Sequence, residues 1–217
     1  MDLTQFSPSS ALLTVIILAL VPFVAVMVTS FTKLVVVLSL LRNALGLQQV
    51  PPNVVLNGLA LVLSIYVMYP VGAEMSARAQ GIDQVASSTK NMLAAADAAK
   101  EPLREFLLRH SRPLERAFFL KTARQTLKPE QAARLDERDF IVVLPAFTVS
   151  ELSVAFEIGF LIFLPFLVID LVISNVLMAM GMMMLSPTTV SMPFKLLLFV
   201  LINGWVKLVH GLVLTYV

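Results

Sequence analysis

Apolar positions run continuously along four stretches of the chain, at about 11–32, 54–72, 158–184 and 196–216. Crossing a hydrocarbon layer as a helix takes roughly 20 apolar residues, and each stretch meets or approaches that length. The runs are continuous rather than alternating, which predicts spanning helices and not barrel strands. Between the second and third stretches the pattern changes. "EPLREFLLRHSRPLERAFFLKTARQ" places Leu103, Phe106, Leu107 and His110 on one helical face at i, i+3, i+4, i+7 spacing. Pro102 and Pro113 stand where first-turn prolines belong, and "KPEQAARLDERDF" opens a third helix the same way. This polar region is small for a core of its own. Its apolar face, Leu103, Phe106 and Leu107, is expected to pack on neighbouring copies or on the apolar segments, and is the candidate assembly surface. The pattern predicts an all-α membrane protein of two helical hairpins. The first covers 1–73, a small helical extracytoplasmic insert covers 74–143, and the second hairpin covers 144–217.

A repeat supports the two hairpins. "ALGLQQVPP" (44–52) aligns without gaps on "AMGMMMLSP" (179–187), matching Ala44 with Ala179, Gly46 with Gly181 and Pro52 with Pro187.

Charge adds a direction. Of sixteen basic and fourteen acidic residues, twelve basic and ten acidic lie between Glu74 and Asp139. The others are Asp2, Lys33, Arg42, Glu151, Glu157, Asp170, Lys195 and Lys207. Lys33 and Arg42 fall in the first short connection and Lys195 in the third, which makes both loops cytoplasmic under the positive-inside rule. Both termini and the insert then face outward. The uncharged run from Leu3 to Thr32 has no basic flank and no cleavage site, so it is expected to be a retained membrane segment. A net charge of +2 does not point to nucleic acid, and the absence of cysteine removes disulfides and thiolate chemistry.

Candidate chemistry is sparse. His110 and His210 are isolated, and neither a metalloprotease helix, a nucleophile elbow nor a phosphate loop is present. No catalysis, cofactor or metal is expected. Asp170 lies within "FLIFLPFLVIDLVISNVLMAMG", where an unpaired carboxylate costs roughly 2.5–3.5 kcal/mol on insertion scales. It is expected to pair with Lys195 or Lys207, on its own chain or a neighbour. Glu151 and Glu157 complete the charges assigned to burial and assembly. A proton relay at Asp170 is the rival, and it lacks a second acid nearby in sequence. Pro165 is expected to kink this segment, and Ser174, Asn175, Ala179 and Gly181 suit close helix contacts. Met182, Met183 and Met184 are consecutive, and successive helical residues stand about 100° apart, so they cannot share one partner helix. Gly181 and Pro187 bracket them, which predicts a loop or a broken helix end.

"LPAFTVSELSVAFEIGF" (144–160), with Pro-Ala-Phe, Ser-Glu-Leu and Ala-Phe-Glu-Ile-Gly in order, resembles the signature of the FliP/SctR family. So do "LLRNALG" with Pro51 and Pro52, "PLREFLLR", "PFLVIDLVISNVLMAMGMMM", and "MPFKLLLFVL" with Asn203, Gly204 and Trp205. The resemblance runs from about residue 20 to 210. It implies a pore subunit of the bacterial type III secretion export apparatus in the inner membrane, with the insert periplasmic. Five copies are implied, together with SctS/FliQ-like and SctT/FliR-like subunits, SctU/FlhB-like and SctV/FlhA-like components, unfolded secreted proteins and membrane lipid. Met182, Met183 and Met184 resemble that family's methionine gasket, which closes the pore. Flagellar members commonly carry a cleavable leader, and its absence here tilts the implied branch to the injectisome. Family assemblies hold many of these helices against one another rather than in lipid. A secondary transporter or ion channel using Asp170, and a scaffold around a pore lined by other subunits, are the alternatives.

Overall fold

The computed structural model describes residues 12, 15–16, 19–20, 23, 25–80, 89–182 and 184–217. Its elements are α1 (Phe31–Ala44), α2 (Asn53–Gln80), α3 (Thr89–His110), α4 (Pro113–Thr126), α5 (Pro129–Ala132), α6 (Phe140–Ala179), α7 (Pro187–Leu201) and α8 (Gly204–Leu214). No strand occurs among the described residues. The fold is that of an all-α membrane protein.

The 40-residue α6 is the axis of the molecule, continuing as one helix through Pro145 and Pro165. α1 lies along it in the same direction. Lys33 meets Glu151 near one end, and Leu41 and Ala44 cluster with Phe166 at the other. Leu34, Val37 and Leu38 are 0% exposed and join Ala155 of α6 with Leu56 and Ala60 of α2 in one core. α2 returns antiparallel to α1, bringing Ser64 within 3.1 Å of Ser30. α1 and α6 approach closely at Gly159, where an added Cβ would lie 2.2 Å from Leu40 Cδ1.

This arrangement corrects the segment boundaries read from hydropathy. The first connection is not 33–53, because residues 31–44 form a buried helix and the loop begins after it. In stretch 11–32, residues 11, 13–14, 17–18, 21–22 and 24 lie outside the described residues, and those at 25–28 are helical. α2 and α6 are long and apolar enough to cross a membrane, and α7 with α8 makes a third crossing only if that pair, bent by 63°, counts as one. The bend falls at Asn203, whose φ of 53° is left-handed.

The insert is built on the bundle. α3 lays Leu107, fully buried, and Phe106, 8% exposed, against Val143 and Phe147 of α6 and against Tyr216. Leu103 packs on the same cluster. The face proposed for assembly is therefore filled by the chain's own apolar segments, and among the described residues α4 leaves Leu114 and Phe118 exposed. Pro102 lies inside α3 rather than in its first turn, because the helix begins at Thr89. Pro113 does open α4. The third helix is reduced to the single turn α5. α2 and α6 run through residues 73 and 143, so the hairpins and the insert share continuous helices.

Candidate functional site

Two charge clusters are built between α6 and its neighbours. At the insert end, Lys33 and Glu151 are each 2% exposed, with Nζ 3.2 Å from Oε1. The Tyr216 hydroxyl donates to the other Glu151 oxygen, and Lys33 Nζ lies 3.5 Å from the Tyr216 ring centroid. One ammonium is thus held by a carboxylate and an aromatic face together. His110 closes this cluster from the insert, its ring 5.1 Å from Tyr216 and 4.7 Å from Phe106. Burial, with the positive charges of Lys33 and Arg109 as smaller causes, lowers the His110 pKa to about 4. The ring is therefore neutral at ordinary pH.

The second cluster sits toward the opposite end of α6. Lys195, 2% exposed, places Nζ 2.6 Å from Asp170 and donates to the Ala44 carbonyl at 3.2 Å. Ser191 donates to the other Asp170 oxygen. This resolves the choice of partner within one chain: Lys195 takes Asp170, while Lys207 is exposed and has no ion pair among the described residues. Glu157, grouped with the buried charges, is instead an exposed residue, bound by both oxygens to Arg112 at 2.7 and 2.8 Å. Lys33 and Lys195 also drop out of the orientation argument. Both lie in helices and are neutralised by carboxylates of α6 rather than standing in loops.

The two repeated loops share one backbone design. α1 and α6 each stop at a left-handed glycine, Gly46 (φ 77°) and Gly181 (φ 73°). Each stop satisfies its last carbonyls the same way. Gly46 N donates to Asn43 O and Leu47 N to Arg42 O, and Gly181 N donates to Met178 O and Met182 N to Leu177 O. That is the double hydrogen bond of a Schellman stop. Glycine is required because an L side chain strains this conformation. After the second stop Met182 is 41% exposed and Met184 fully exposed. Met183 lies outside the described residues.

Sequence reasoning missed Lys33, Tyr216 and Ser191 as cluster members. The signal for Lys33 was present: Leu34, Val37, Leu38 and Leu41 recur at i, i+3, i+4, i+7 directly after it, the pattern of a buried helix face. Among the described residues no group of three or more His, Asp or Glu could hold a metal ion.

Long apolar helices, locked by paired charges where they touch, define an all-α membrane protein whose polar groups serve helix packing. The particular lineage follows from comparison with known proteins. The chain belongs to the FliP family, whose model matches residues 12–212. It is 54% identical to "Pathogenicity-related ORF2" of Xanthomonas campestris pv. glycines, over 96% of both chains. It is 52% identical to the "Hypersensitivity response secretion protein HrcR" of Ralstonia nicotianae, over 96% of this chain and 97% of the relative. It is also 52% identical to the "Yop proteins translocation protein R" of Yersinia pestis, over 92% of each. The family is that of the type III secretion SctR proteins, which are components of the secretion apparatus rather than enzymes.

Proposed function

We propose that this chain is a pore-forming core subunit of a type III secretion export apparatus, conducting unfolded proteins across the bacterial inner membrane, and that it serves an injectisome rather than a flagellum. The observation that carries this reading is the methionine loop. A helix of 40 residues is stopped at Gly181, and Met182 and Met184 then project from it uncovered. In a ring of such chains these thioethers, with Met183, converge on the axis. Methionine is apolar, unbranched and polarizable, so it closes against its own copies and remodels around a passing side chain. The pathogenicity and hypersensitivity names of the relatives favour the injectisome. The exposed apolar sides of α2 and α6 suit neighbouring copies, SctS/FliQ-like and SctT/FliR-like subunits, and lipid. The insert faces the periplasm in this reading.

The transporter alternative loses support because Asp170 is already held by Lys195 and Ser191, with no second acid among the described residues bonded to either. The test replaces Met182, Met183 and Met184 with alanine and follows small-ion permeability in cells making the complete apparatus. A leak from complexes of normal size is expected. Assembled complexes that secrete and keep the membrane sealed would sink the gate assignment.

A further inference from the structure

Lys207 stands in an environment that does not suit a lone ammonium. It lies on α8, exposed, next to the exposed Val206. Its helical neighbours one turn away are Asn203, Gly204, His210 and Gly211, none of them acidic. Leu208 joins the cluster of Phe166 and Ile162, and Leu212 the cluster of Ala155, so α8 runs antiparallel to α6 and Lys207 is level with the middle of the apolar zone. A cation at that depth pairs with an acid or with backbone carbonyls.

Asp170 is the complementary group. A carboxylate has about four lone-pair sites, and Lys195 and Ser191 occupy one on each oxygen. Its side chain stays 27% exposed, flanked on α6 by the exposed Leu167 and Leu171. Asp170 sits about six residues along α6 from the level of Lys207, a gap of roughly 9 Å at 1.5 Å per residue. Side chains lean toward the N-terminus of their helix. On antiparallel helices Lys207 and Asp170 therefore lean toward each other's level and narrow that gap.

We infer that Lys207 of one copy pairs with the exposed edge of Asp170 on the next, making the outer faces of α8 and α6 a head-to-tail interface between copies of this chain. The inference rests on the oligomeric reading proposed above. It adds a second cation to a carboxylate that already has one, and it puts the pair between apolar surfaces that exclude water.

The chain has no cysteine, so the contact is testable directly. Leu167→Cys and Val206→Cys are introduced together, leaving Asp170 and Lys207 intact, and membranes containing the complete apparatus are treated with a short bismaleimide. A ladder of covalent multimers is expected, lost in the same background with Lys207→Glu and kept with Lys207→Arg. Complexes of full size without a ladder, or a ladder unchanged by Lys207→Glu, would overturn the contact. The unsubstituted chain is sized first. If it never exceeds one copy per complex, the oligomeric reading fails and takes this interface with it. A full-size complex without cross-links removes the interface alone.

Discussion

Lys33, Glu151 and Tyr216 show how a charge is kept inside a membrane protein. Taking two ions out of water costs several kcal/mol per ion, and their attraction offsets this only while every partner is present. Glu151→Gln leaves the Lys33 ammonium without its acid, and is expected to lower stability by about 3–5 kcal/mol. Replacing both, Lys33→Met with Glu151→Leu, is expected to recover most of the loss, read as thermal unfolding of the detergent-purified protein. Equal losses in the single and double variants would show that the two do not act as a pair. His110 gives a pH dependence of known sign. Its pKa falls from 6.5 to about 4 on folding, so between those values the unfolded chain binds a proton that the folded chain does not. Stability therefore declines as pH drops through that window. His110→Phe is expected to flatten the decline, measured as the difference in Tm between parent and variant across the same pH series. The sequence marked Glu151 and Asp170 as charges needing partners. It misassigned Lys33 because a lysine at the edge of an apolar run looks like a loop charge until its carboxylate, 118 residues away, is known.

At the scale of elements, the repeated hairpin turns were legible and the helix before the first was not. Gly46 and Gly181 align because both must reach positive φ at the same point of a Schellman stop. Gly181→Ala is expected to cost about 1–2 kcal/mol through left-handed strain, read in Tm. Alanine at Gly58, helical and with open space around it, is the unstrained control. α1 was hidden because its burial is against protein, and a window that scores only hydropathy does not separate this from burial in lipid. Its crossing with α6 depends on Gly159. Valine there would overpack the Leu40 contact, with an expected loss of about 1–3 kcal/mol in the same measurement. Alanine is milder, since the nearest atom is the movable end of Leu40.

For the whole molecule, the all-helical class was readable, whereas the covering of the outer faces was not. Phe156, Phe160 and Leu161 on α6 are all more than half exposed in the single chain, and the same residues suit lipid or a neighbouring subunit. Orientation also needs a direct measurement, since of the three loop cations only Arg42 remains beside a loop, where it bonds Pro51 O and Asn53. With the insert periplasmic, a cysteine at Lys121 should react with an impermeant maleimide in intact cells. One at Gln49 should react only after the inner membrane is opened, and the reverse pattern would invert the topology. The distance along the chain between Lys33 and its partners also imposes an order on synthesis. No acid lies between Lys33 and Glu74. Glu151 emerges 118 residues after Lys33, and Tyr216 65 residues after that. Until then the first helix carries its cation without the partners it has in the folded chain. The bundle is thus sealed from its last-made helices backward, and the segment made early waits longest for its place.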